Sequence, residues 1–111
     1  MADRLTREPL TVPEQLLTVG LVQATDDYAC LCCAGEIDQA TAPVFADALA
    51  DAVPGRSRVE VDLTKVTFLD SSGINALVQH RRPSCALVVV NVPPHIRRVF
   101  DITGLSEIFC A

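Results

Sequence analysis

The chain has no tryptophan, one tyrosine, one methionine and a single lysine, Lys65. Its core must therefore be built mainly from aliphatic side chains and phenylalanine. Half of its 111 residues are apolar, enough for one domain to bury a core without metal or disulfide support. No stretch approaches the ~20 apolar residues of a membrane span. Residues 1–13 mix Asp3, Arg4, Arg7 and Glu8 with prolines and lack the apolar run of a secretory leader. The expectation is a cytoplasmic protein with no membrane partner. Basic clusters are absent beyond Arg81-Arg82 and Arg97-Arg98, on a net charge of -5. A nucleic-acid surface needs concentrated positive charge, so direct binding to nucleic acid is not expected.

Catalytic signatures are missing as well. There is no Gly-x-Ser-x-Gly elbow and no Gly-x-x-x-x-Gly-Lys-Ser/Thr loop to cradle a nucleotide. His80 falls late in one helical stretch and His95 opens another, positions that solvent explains. The five cysteines, Cys30, Cys32, Cys33, Cys85 and Cys110, are odd in number and offer a single C-x-x-C spacing, Cys30 to Cys33, with no second pair to complete it, against both a zinc site and a disulfide framework. A reducing compartment points the same way. The chain reads as a non-enzyme with no catalytic residue, no cofactor and no metal.

What is present is organised around residues 59–78. Val59, Val61 and Leu63 alternate with Glu60 and Asp62, the period of a strand. Lys65 and Thr67 interrupt the apolar run before the turn. Ile74, Leu77 and Val78 then fall at i, i+3 and i+4, one stripe of a helix whose N-cap is Asp70 or Ser71. The first N–H groups of such a helix lack intrahelical partners and favour an anion. A serine there is a sensible phosphoacceptor, because phosphate adds ~1.5 to 2 negative charges that a docked partner surface would not tolerate.

Along the chain, residues 17–24 and 28–34 read as a hairpin through Thr25-Asp26-Asp27, with Cys30, Cys32 and Cys33 as small apolar residues of its second strand. Residues 35–40 form a loop. A first helix starts at Thr41 or Ala42 with Pro43 in its first turn, buries Phe45, Ala48, Leu49 and Ala52, and stops at Pro54-Gly55. Residues 58–63 form a strand reached by a crossover, parallel to the second strand and connected right-handedly. The second helix covers residues 72–81 and ends before Pro83. Residues 87–90 are a continuous apolar strand, expected to be buried on both faces. A third helix turns Ile96, Val99 and Phe100 inward and ends at Gly104. Parallel strands end at one edge, so the loops bearing Asp38, Ser71 and residues 91–94 are expected side by side there. The fold class is α/β, a mixed sheet of about four strands with helices packed against it. Residues 1–15 are expected to be a flexible segment and 16–111 the domain.

Gly35-Glu36-Ile37-Asp38, the run VDLTKVTFLDSSG ending at Gly73, and VNVPPHIRRVFDITGLSEIF ending at Phe109 resemble the STAS domain of bacterial anti-sigma factor antagonists. The resemblance implies a small STAS-like fold and places the phosphoserine of that family at Ser71, within the motif Asp70, Ser72 and Gly73. It implies a partner that is both anti-sigma factor and serine kinase, engaged in part by Asp38, with Glu36, Ile74 and Val78 as further partner-binding positions. A phosphoserine phosphatase would complete the cycle. Relative to the family, the connection after the second helix is short, and the further strand and closing helix common in the family are not seen before Ala111. Two alternatives remain open: a STAS scaffold or sensory subunit without a kinase cycle, and a cysteine redox switch through Cys85 and Cys110. Oligomeric state is left open.

Overall fold

The structure is a computed structural model that describes residues 16–110; the expectation for residues 1–15 lies outside the described residues. Its elements are β1 (Leu17–Ala24), β2 (Tyr28–Ile37), α1 (Ala42–Ala52), β3 (Arg58–Leu69), α2 (Ser71–Gln79), β4 (Ala86–Val90), α3 (Pro94–Thr103) and α4 (Ser106–Phe109). The strands lie in the order β1-β2-β3-β4, the first pair antiparallel and the other two parallel. This is the mixed four-stranded α/β sheet expected from the sequence.

Burial alternates along the strands. Ala29, Leu31 and Cys33 of β2, Val59, Val61 and Leu63 of β3, and Leu87 and Val89 of β4 are buried, while the residues between them are half-buried. The helices therefore cover one face of the sheet, since neighbours in register send their side chains to the same side. That corrects the expectation for β4: Val88 and Val90 lie on the open face, half-buried. It also separates the cysteines of β2. Cys33 is fully buried, whereas Cys30 and Cys32 point to the open face and are only half-covered. Phe45 of α1 and Phe100 of α3 complete the core with Phe109 of α4, a short helix that periodicity did not reveal. The Phe100 and Phe109 rings lie 6.3 Å apart, tilted, with the Arg81 guanidinium 5.8 Å from the centre of the Phe109 ring. Such aromatic and cation–π pairs each add of order 1 kcal/mol to the area they bury.

Two strands run further than the sequence pattern indicated. β2 continues through Gly35 and Glu36 to Ile37, and β3 continues past Leu63 to Leu69. Register shifts between Cys32 and Ala34 and between Gly35 and Glu36 break the strict alternation that marks a strand in sequence. Gly35 makes the second shift possible. Its φ is +116°, and a methyl group there would overlap the Leu16 carbonyl, whose oxygen accepts from the Glu36 N–H at 2.8 Å. Only glycine adopts this conformation without strain.

A third correction concerns β4. Val90 pairs with Asp62, so β4 ends seven residues short of Leu69, roughly 20 Å back along β3 at the rise of a strand. The loop after it lies on the flank of β3: Asn91 Nδ2 donates to Asp62 Oδ2 at 3.0 Å, and His95 Nε2 donates to the Thr67 carbonyl at 3.0 Å. Of the three loops expected at the end of the β2/β3 pair, two are there among the described residues, those after β2 and β3. Gly35→Ala is expected to destabilise the fold by about 2 kcal/mol or more, read as a lower urea midpoint with an unchanged m-value.

Candidate functional site

The segments that carry Asp38 and Ser71 both leave the end of the β2/β3 pair, where Ile37 is in register with Leu69. Asp70 occupies the N-cap of α2 in extended geometry, with its Oδ1 accepting from the Ser72 N–H at 2.8 Å. Its carbonyl accepts from the N–H groups of Gly73 and Ile74 at 3.1 and 3.3 Å. The donors of the first turn are thus largely satisfied by Asp70 itself. Ser71 is the first helical residue and is exposed, while Ser72 is half-buried. The N–H of Asp70 donates to the Ile37 carbonyl at 3.2 Å, which ties the start of α2 directly to the end of β2.

Gly73 explains how α2 comes so close to the sheet. A methyl group at this position would lie 2.5 Å from Leu69 Cδ1 and 2.7 Å from Ile37 Cγ2. Both side chains are buried, Ile37 completely. The glycine of the motif therefore serves helix-to-strand packing.

Asp38 opens the turn between β2 and α1, and its Oδ1 accepts from the N–H groups of Ala40 and Thr41, both at 3.0 Å. Thr41 is 1% exposed, the one buried polar side chain among the described residues. Its hydroxyl donates to the Glu36 carbonyl at 2.7 Å and accepts from the Asp38 N–H at 2.9 Å. In the sequence this threonine looked only like a helix cap.

The other expected positions divide. Glu36 is half-buried and in register with Phe68 at the end of the sheet. Ile74 is 6% exposed and belongs to the core, so its expected place on a docking surface is corrected. Val78 reverses the other way: placed in the buried stripe by its spacing, it is 44% exposed. The reason is that α2 also packs against α1, and this turns Ala76 inward with Ile74 and Leu77. Between α1 and α2 lies an open cavity of about 300 Å³, lined by Ala42, Pro43, Ala46, Ser72, Asn75 and Gln79 among others. Phe68, 46% exposed and three residues before Ser71, was missed because alternation alone does not show that the sheet continues that far.

The rest of the molecule offers little chemistry. His80 caps α2 and donates from Nδ1 to the Ala76 carbonyl at 2.8 Å. Among the described residues no group of His, Cys, Asp and Glu is arranged to hold a metal ion, and no helix is long and apolar enough to cross a membrane. The proposed Cys85–Cys110 staple is contradicted by register. Cys110 bridges to Val89, four residues beyond Cys85, a separation of roughly 13 Å along a strand, against the ~7 Å limit for a disulfide. The thiols of Cys30, Cys33, Cys85 and Cys110 are also shifted away from the reactive thiolate. Burial pushes Cys33 up to about 12, and burial raises Cys30, with the Glu60 and Asp62 carboxylates adding to it. Cys85 and Cys110 are likewise raised by burial.

The chain belongs to the STAS domain proteins of the anti-sigma factor antagonist family. It matches the family described as Mlab, STAS domain, over residues 21–109. The anti-sigma-B factor antagonist of Listeria monocytogenes is 32% identical over 97 residues, covering 83% of this chain and 85% of the relative. Among solved structures, an anti-sigma factor antagonist from Mycobacterium paratuberculosis superposes with a TM-score of 0.74 at 29% identity, covering 84% of this chain and 82% of that one. The Bacillus cell fate determinant SpoIIAA, solved in its phosphorylated form, shares the fold at a TM-score of 0.64 and 20% identity, with 85% and 91% covered. Domains of this family are regulatory and not enzymatic.

Gly73→Ala is expected to destabilise the protein by about 1–2 kcal/mol, because overpacking against Ile37 and Leu69 outweighs the ~1 kcal/mol that alanine gains in a helix; thermal unfolding at fixed pH reads it. In a titration of native protein with an aromatic disulfide reagent near pH 7.5, Cys33 and Cys85 are expected to stay unmodified until denaturant is added. Labelled peptides identified by mass spectrometry check this.

Proposed function

We propose that this protein is an anti-sigma factor antagonist that docks on an anti-sigma factor while Ser71 is unmodified, releasing a sigma factor, and that phosphorylation of Ser71 by the same partner ends docking. The observation that carries the reading is the placement of Ser71: exposed, on the first turn of a helix held rigidly by Asp70, and beside the Asp38 turn. The identity to antagonists of this family over most of the chain supports it. Glu36 and Val78 are the further positions we assign to partner contact, with Asp38 in the turn that adjoins them, and a phosphoserine phosphatase would reset the switch.

The electrostatics favour a contact switch. A phosphate on Ser71 gains little from the helix start, since the Ser72 N–H is committed to the Asp70 carboxylate and those of Gly73 and Ile74 to its carbonyl. The added charge sits next to Asp70 and projects to solvent. Docking would bury it without a donor, a penalty of several kcal/mol, and ~3 kcal/mol is already more than a hundredfold in affinity.

Ser71→Ala is expected to bind its partner constitutively and Ser71→Asp at least about a hundredfold more weakly. Paired pull-downs from the native cytosol, followed by titration of the recovered partner, test this. An ATP-binding, kinase-like protein enriched only on the Ser71→Ala bait is the expected result. Equal recovery on both baits, each shown to be folded, removes Ser71 from the switch and leaves a STAS scaffold without a kinase cycle.

A further inference from the structure

Asp38 stands at the site as the acidic residue nearest in kind to a partner contact, yet its carboxylate is already in use. Oδ1 accepts from two backbone N–H groups and lies 3.2 Å from the Thr41 hydroxyl. The Asp38 carbonyl accepts from the Ala42 N–H at 2.7 Å, closing the turn into α1. Thr41 fastens the same turn from inside, bonded to Glu36 on one side and to the Asp38 N–H on the other. Between these two bonded points lies Ile37, whose carbonyl receives the Asp70 N–H and whose side chain lies beneath Gly73. The position of Ile37 thus sets the position of Asp70, and Asp70 sets that of Ser71. A buried threonine that satisfies one N–H and one carbonyl is an expensive group to disturb, because either partner left alone is an unpaired polar atom in the interior.

We propose that Asp38 and Thr41 are the positioning pair of the Ser71 switch, and that Asp38 serves docking through its hydrogen bonds inside the chain and not through its charge. The last step, the effect on a partner, rests on the function proposed above; the coupling of the two loops does not. Asparagine keeps the Oδ1 acceptor and removes the charge, and serine keeps the hydroxyl that valine lacks. These pairs separate geometry from charge and from shape.

The experiment compares Asp38→Asn, Asp38→Ala, Thr41→Ser and Thr41→Val in the full chain. Native-state hydrogen exchange is followed at Asp38, Thr41 and Asp70, with Val61 in the centre of β3 as a measure of global opening. Asp38→Asn and Thr41→Ser are expected to exchange as the unmodified chain does. Asp38→Ala and Thr41→Val are expected to speed exchange at Asp70 about tenfold beyond any change at Val61, the effect of losing one buried hydrogen bond. With the kinase recovered on the Ser71→Ala bait, the KM for phosphorylation of Ser71 is expected to rise in the alanine and valine variants and to keep its value and its salt dependence in the asparagine and serine variants.

Two results overturn the inference. One is an unchanged Asp70 rate in Thr41→Val. The other is a rise in KM for Asp38→Asn equal to that for Asp38→Ala, which would make the charge itself the contact. If neither bait retains a kinase, the proposed switch fails while the exchange rates still decide the positioning.

Discussion

The hydrogen bond from the Asp70 N–H to the Ile37 carbonyl joins the two halves of the candidate site. On one side is β2 with the turn after it; on the other is β3 with the start of α2. Each side alone is a strand end with unpaired backbone groups, and such groups are costly unless they find partners. Here they find each other. The approach is close enough that only glycine fits at position 73, where the helix passes over Ile37 and Leu69. A loosened Ile37 would shift the cap, and the cap carries the serine.

This junction stands out from the rest of the sheet because β4 ends early. Beyond Asp62, β3 pairs with β2 alone among the described residues, and β1 flanks β2 only as far as Gly35, so that Glu36 and Ile37 extend with Phe68 and Leu69 as a two-stranded tip. Two strands alone bury too little to be stable. The pair is secured by what lies on it: Leu63, Val66 and Leu69 of β3 and Ile37 of β2 are all buried, and α2 packs over the end. The candidate site is therefore built at the most extended part of the sheet and stiffened by the helix that displays Ser71.

How much of this was legible in the sequence follows from how local each feature is. The helix start at Asp70 and the alternation of Val59, Val61 and Leu63 were legible because capping and strand period involve a few consecutive residues. The parallel pairing of β2 with β3 was legible because a helical crossover demands it. The length of those strands was not, because the two register shifts displace the alternation and the strand resumes out of phase. Ile74 and Val78, which share one stripe and one expected role in the sequence, part in the structure for a related reason: spacing identifies a stripe, but the packing of α2 against α1 decides which edge of the stripe faces solvent. Thr41 looked like an ordinary cap, and only its tertiary neighbours, Glu36 and Asp38, show that it holds the turn. The third loop was placed at the wrong height because chain direction gives the edge toward which a strand runs, not how far it goes.

A rigid site constrains the kind of switch it can host. Many regulatory phosphorylations order or melt a segment, but α2 is fixed by Gly73, Ile74 and Leu77 in the core and by Asp70 at its cap. On the proposed reading, modification changes charge and bulk at one point while the shape stays. The sign of that charge matters. The chain is already acidic, with Asp70 next to the serine and Asp38 on the turn tied to Asp70 through Ile37, so the complementary partner surface is basic overall. At long range, more negative charge would attract such a partner more strongly and speed the encounter. Loss of docking must then come from contact, where a phosphate without a donor has to be stripped of water and has no room in the interface. The two effects act at different distances: long-range attraction fades with salt, while the desolvation of a group pressed against a partner does not. Release is therefore a matter of how long the complex lasts, not of how often it forms, and that requires a serine held at one fixed place on the surface.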